Sequence, residues 1–224
     1  MEDEKGLLPS LTIVLLQETA RFNKLLKTIK TSLINLKRAI EGTALMSDEL
    51  DSMFYSLLNN TVPKNWQKVA YPSLKPLASW ITDLKERVSF LSSWLKNGQP
   101  NCYWMSGLFF PQGFLTGVLQ SHARQPGKEI PIDELAFSFK FMDFDKENCL
   151  SRPLEGVYIN GLILEGASFD RKKKILVDSM KVLFLLMPVI TVHPNADHPL
   201  PPLQVIGGSG YQEWQVRDLP MPRI

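Results

Sequence analysis

The sequence predicts an α+β protein, helices first and sheet second, because the spacing of its apolar residues changes along the chain. Up to about residue 98 they recur every three or four positions, the period of a helix buried on one side. From Leu135 onward they alternate or run continuously, as strands do. Between the two regimes, Trp94, Tyr103, Trp104, Phe109, Phe110 and Phe114 put more apolar area into a short connector than a solvated loop carries, so Trp94 to Arg124 reads as a buried joint. A stacking platform for single-stranded nucleic acid is the sharper alternative, but no basic residue interleaves the rings between Lys96 and Arg124. The expected division is a helical region over 1–127, an antiparallel, barrel-like region over 128–194 that either closes or stays incomplete, and a divergent flexible tail over 195–224.

The first helix is expected from Pro9 to Ile40, with Phe22, Leu25, Leu26, Ile29, Leu33, Leu36 and Ile40 facing inward and Lys24, Lys27, Lys30, Lys37 and Arg38 mostly opposite. Gly42 supplies its stop. Ser47 suits an N-cap, with Asp48 and Glu49 in the turn that the helix dipole favours for anions. Leu50, Met53, Phe54, Leu57 and Leu58 then give a short amphipathic helix, ended by Asn59-Asn60 and Pro63. Prolines 72 and 76 make a stiff, partly buried crossing around Trp66 and Tyr71. The next stripe, Leu77, Trp80, Ile81, Leu84, Val88, Leu91 and Leu95, predicts a third helix closed by Asn97-Gly98. Pro111 suits the first turn of a fourth, with Phe114, Leu115, Val118 and Leu119 inward.

In the second half, Leu135, Phe137, Phe139 and Phe141 fall on one side of a strand and are expected to be its buried face. Asp143 to Glu155 reads as a loop. Gly156 to Leu164 has strand composition, with Gly161 marking a bulge or a close backbone approach. Arg171 to Lys174 reads as a solvated turn. Val182–Leu186 and Val189–Val192 give one bent strand or two, broken at Met187-Pro188, and from His193 the chain turns Pro- and Gly-rich.

A chain of 224 residues can bury a substantial core, and with 21% charged residues and a net charge of +2 it carries no strong field toward nucleic acid or anionic membrane. Cys102 and Cys149 lack CxxC spacing and no secretory signal opens the chain, so reduced thiols in an intracellular compartment are expected. The longest apolar run, Val182 to Ile190, is too short to cross a bilayer and holds Pro188. The basic face from Lys24 to Arg38 reads as solvated; a free helical adaptor binding calmodulin or a membrane surface through it is the alternative.

No catalytic, cofactor-binding or metal site emerges. Gly207 to Gly210 lacks the lysine and following helix of a phosphate-binding loop, and Tyr211 stands where a nucleophile elbow needs glycine. His193, Asp197 and His198 could offer metal ligands but sit in a proline-bounded stretch without cysteine partners. Asp143 with Asp145, and Asp133 with Glu134, have no neighbouring histidine for a proton relay and read as solvated loop.

Several ordered phrases resemble the C-terminal region of dynein heavy chains. They are Leu16-Gln17-Glu18 with Arg21-Phe22-Asn23; Tyr71-Pro72-Ser73-Leu74-Lys75-Pro76-Leu77 leading to Trp80 and Asp83-Leu84; Ser106 to Thr116; Gly156 to Leu162; and Leu164-Glu165-Gly166-Ala167. They run from about residue 7 to 194, and the wording is nearer axonemal than cytoplasmic heavy chains. The resemblance implies a non-catalytic module that caps the AAA+ ring of a minus-end-directed microtubule motor, with helices near the last ring module and a small β-barrel after them. It also implies, as partners, that ring within the heavy chain and the intermediate and light chains of the complex, and as locations the cytoplasm, cytoskeleton and ciliary axoneme. No cofactor, nucleic acid or membrane partner is implied. After Pro202 the sequence departs from the family pattern, and the divergent tail either supplies the closing strands or leaves an open sheet edge.

Overall fold

The computed structural model describes residues 9–125, 130–173, 175–178 and 184–195. It has the α+β order expected: α1 (Ser10–Ile40), α2 (Asp48–Leu58), α3 (Lys64–Gln67), α4 (Leu77–Asn97), β1 (Cys102–Trp104), α5 (Pro111–Ala123), β2 (Ala136–Phe141), β3 (Val157–Asn160), β4 (Ile163–Glu165), β5 (Ala167–Asp170), β6 (Ile175–Asp178), β7 (Phe184–Leu186) and β8 (Ile190–Asn195). The protein divides into two compact units, one of Met1–Pro100 with Ser106–Ser121 and one of Asn101–Met105 with His122–Ile224. The aromatic joint is therefore shared out, residues 101–105 to the sheet unit and 106–121 to the helical unit.

Helix ends follow local chemistry. Gly42, at φ 72°, lets the N–H groups of Gly42 and Thr43 reach back to Ala39 and Arg38 and close α1. Asn60, at φ 53°, closes α2 in the same way, its N–H on Leu57 and that of Thr61 on Ser56. Ser47 caps α2 by accepting from the Leu50 N–H at 3.3 Å. The Trp66 crossing, expected to be stiff and partly buried, contains the short helix α3; Pro63 fixes its start, and the Trp66 indole N–H donates to Ser32 on α1 at 2.8 Å.

The buried faces of the two long helices differ from the expected stripes. On α1 the buried line is Leu11, Val14, Leu15, Glu18, Phe22 and Leu25, rejoined at Leu36 and Ala39. Leu26, Leu33 and Ile40 stay 38%, 41% and 59% exposed, because they lie to one side of that line. On α2 only Met53 is fully buried. On α4 the stripe is rotated to Leu77, Trp80, Asp83, Leu84, Arg87, Leu91 and Trp94, leaving Ile81 and Leu95 exposed. The rotation has a cause: Asp83 and Arg87 satisfy one another inside, so two charges occupy places that hydropathy assigns to aliphatics. Tyr71 and Trp80 stack at 6.0 Å, and Phe22 and Phe109 meet edge-on at 4.6 Å, joining α1, α4 and the turn before α5 in one aromatic core.

In the second unit the main sheet has the order β1-β3-β8-β2. All its pairs are antiparallel except β1 with β3, so the expected antiparallel half contains one parallel pair, made with a strand from the connector. β4 with β7, and β5 with β6, form two further ladders, and the described strands do not close into a barrel. The core lies where β3 and β8 alternate: Val157 and Ile159 against Val192 and Ile190, all buried. Gly156, at φ 74°, packs its α-carbon against the Val192 carbonyl and has no room for a side chain. Gly161, at φ 83°, separates β3 from β4, so the strand expected from 156 to 164 is two.

Two expectations need correction. The phenylalanine face of β2 is not fully buried: Phe139 is 47% exposed and Phe137 and Phe141 are half-buried, because among the described strands β2 is the sheet's edge and is flanked by β8 alone. His193, Pro194 and Asn195 belong to β8 rather than to a loop, and Pro194 is tolerated because the ladder with β3 ends at Val192. The break at Met187–Val189 does divide two strands. The sequence expectations for Asp197, His198 and Gly207 to Tyr211 lie outside the described residues.

Candidate functional site

Two buried carboxylates organise the helical unit. Glu18, only 2% exposed, reaches from α1 to the turn that opens α5 and accepts the N–H groups of Phe109 at 2.6 Å and Phe110 at 2.9 Å. Both groups precede Pro111, so the carboxylate sits at the positive end of the α5 dipole and serves donors that the helix itself leaves free. The Arg21 guanidinium lies over the Phe110 ring, 5.1 Å from its centre. Further along, Gly117 of α5 faces Val14 and Leu11 of α1, and an added Cβ would stand 2.7 Å from a Val14 methyl. A single clamp, with a close helix crossing beside it, thus fixes α5 on α1.

Asp83 is the second hub. Its two oxygens accept from Lys75 Nζ and Arg87 Nε, each at 2.6 Å. The Arg87 guanidinium also lies 3.8 Å from the centre of the Tyr71 ring. Burial raises the Asp83 pKa, but the hydrogen bonds from Lys75 and Arg87 outweigh it and hold the carboxyl below its ordinary range. Tyr71 is pushed up, first by burial and then by the Asp83 charge; its hydroxyl lies near that carboxylate but outside hydrogen-bond geometry. Asp83 is thus shared between two cations, one buried and one half-exposed. The arrangement orients backbone and ring planes and offers no free nucleophile or proton relay.

The residues weighed from sequence are scattered. His193 of β8 has its ring edge-on to His122 at 5.7 Å, and its Nε2 lies 3.4 Å from Glu155. It borders an open groove of about 450 Å³ with Ser138, Lys140 and Thr191. Among the described residues no three metal-ligating side chains converge, and no helix is long and apolar enough to cross a membrane. Asp145 pairs with Arg171 at 2.7 Å on the surface. Asp133 and Glu134 lie in an exposed turn. Asp170 accepts the N–H groups of Lys172 and Lys173, so Arg171 to Lys173, the described part of the basic run, is a solvated hairpin turn. Lys24, Lys27, Lys30, Lys37 and Arg38 are all exposed.

The family model for the C-terminal domain of the dynein heavy chain matches residues 2–204. The protein belongs to that family. It is 43% identical over 225 residues to dynein axonemal heavy chain 6 of Homo sapiens, an alignment covering 91% of this sequence and 5% of the relative. It is 49% identical over 189 residues to dynein axonemal heavy chain 1 of Rattus norvegicus, covering 84% and 4%. With dynein axonemal heavy chain 12 of Mus musculus it shares 46% over 187 residues, covering 83% and 6%. The sequence thus spans about a twentieth of the length of these relatives.

In this dynein C-terminal domain, phrases distant in sequence meet in space. Leu16-Gln17-Glu18 clamps the turn of Ser106 to Thr116, and Lys75, Asp83 and Tyr71 come from one phrase that folds back on itself. Sequence reasoning does not single out Glu18, Asp83 or Arg87. A signal is present: each is a charged residue on the apolar line of its helix, Glu18 between Leu15 and Phe22, Asp83 and Arg87 between Trp80 and Leu91.

Proposed function

We propose that this protein is the non-catalytic module that caps the AAA+ ring at the C-terminal end of an axonemal dynein heavy chain. Family membership over residues 2–204 carries the reading. The buried polar groups support it, since Glu18 and Asp83 are committed to packing. So does the apolar line of Leu26, Leu33 and Ile40, spaced seven residues apart on α1 and left uncovered among the described residues. In this reading that line faces the ring, and the intermediate and light chains are partners through the assembled complex. The motor as a whole moves toward microtubule minus ends in the cytoskeleton of the cytoplasm and the ciliary axoneme. Residues 1–127 form the ring-proximal helical part, 128–194 the barrel-like part and 195–224 the divergent tail.

The test is ATP turnover by the purified domain alone and by a heavy chain that carries it. The domain alone should not exceed a protein-free blank; turnover abolished by a point substitution within it would overturn the reading. Calorimetry against calcium-loaded calmodulin and anionic vesicles addresses the basic helix. Absence of heat is expected, and saturable binding through Lys24 to Arg38 would favour the free adaptor.

A further inference from the structure

Cys102 is a buried residue of β1, and Cys149, just after the 3₁₀ turn Lys146–Asn148, is half-buried. Three contacts bring their surroundings together. The Asn101 side-chain amide donates to the carbonyls of Cys149 and Leu150, at 3.1 and 3.0 Å, fastening that loop beside the residue that precedes Cys102. The two thiols are close enough that each shifts the pKa of the other. From β3, the Asn160 amide donates to the Cys102 sulfur at 3.0 Å. Two free thiols far apart in sequence are thus neighbours, one reachable from solvent and the other behind it. That is the arrangement of an attacking thiol with a resolving partner.

We propose that Cys102 and Cys149 are a modification site, closing to a reversible intramolecular disulfide when the domain meets a small-molecule disulfide. The Cys149 thiolate attacks one sulfur of the oxidant, whose other half leaves as a thiolate and takes up a proton. The mixed disulfide on Cys149 is then attacked at its Cys149 sulfur by the Cys102 thiolate, and the second half of the oxidant leaves as a thiol. Two electrons and two protons pass from the cysteines to the oxidant. Burial pushes the Cys102 thiol up to about 12 and also raises Cys149, so both steps run faster as pH rises. The Asn160 amide and the Lys146 ammonium favour the Cys102 thiolate in the resolving step. The bond closes a covalent loop containing α5 and β2.

The probe is oxidised glutathione, applied to the whole protein, with acid quenching, alkylation and mass measurement without reductant. The intact mass should fall by two hydrogens, a peptide pair joining Cys102 to Cys149 should appear, and dithiothreitol should reverse both. Cys102→Ser should stop at a glutathione adduct on Cys149. Cys149→Ser, in which the buried thiol keeps its place, should take up glutathione at least tenfold more slowly than the wild type is oxidised. A stable adduct on Cys149 of the wild type, with Cys102 alkylated only after unfolding, would overturn the proposal. So would disulfide-linked dimers, or Cys102 reacting at full rate in Cys149→Ser.

Discussion

Glu18 and Asp83 are the residues on which the helical unit depends most. Glu18→Ala removes the acceptor of two N–H groups, and hydrogen bonds to a charged group are worth about 1.5–3 kcal/mol. We expect a loss of about 3 kcal/mol in urea unfolding, and a smaller loss for Glu18→Gln, which keeps one carbonyl oxygen. Asp83→Asn removes the carboxylate charge from beside the buried Arg87 and should cost about 3 kcal/mol. Lys75→Met, at a half-exposed partner, should cost less than about 1 kcal/mol. Because the folded state lowers the Asp83 pKa, its contribution is complete above the ordinary 3.8 and fades as pH falls through the lower folded value. Acid unfolding of Asp83→Asn should accordingly lack that part of the pH dependence. Tyr71 acts in the opposite direction. Its raised pKa stabilises the fold below 10.0 and the contribution is lost as pH rises above it, so Tyr71→Phe should flatten alkaline unfolding. Burying a carboxylate runs against the hydropathy on which a sequence reading rests, which is why these residues escape it despite their place on the apolar lines.

At the scale of elements, glycines placed by geometry should be the least replaceable. Gly156→Ala forces a β-carbon at φ 74° into the Val192 carbonyl, where β3 meets β8, and should cost more than about 2 kcal/mol in thermal unfolding. Gly42→Ala, at φ 72° in open space, should cost only about 1 kcal/mol. The long helices and their stops are legible in the sequence, because periodicity, Gly42, Ser47 and Asn97-Gly98 act over a few residues. The turn of Arg171 to Lys173 and the division at Met187-Pro188 are legible for the same local reason. The parallel partnership of β1 with β3 is not, since Cys102 to Trp104 pair with residues more than fifty positions away. Nor can alternation alone tell that β2 is an edge, because exposure of Phe139 depends on which strand lies beside it.

At the scale of the whole molecule, the proposed ring-capping role rests on buried carboxylates that are held by internal donors and on a first helix that leaves Leu26, Leu33 and Ile40 partly exposed among the described residues. Replacing these three residues with serine should change the domain's own stability little, since each is already partly in water, while weakening its attachment to the ring. The measurement that tests this most directly is binding of the purified domain to an axonemal heavy-chain fragment that ends before it, with ATP turnover of the domain followed in parallel. Saturable binding, weakened at least tenfold by the triple serine substitution and with no turnover by the domain alone, is the predicted result. No binding to the ring fragment, or ATP turnover by the domain alone that a substitution within it abolishes, would contradict the account.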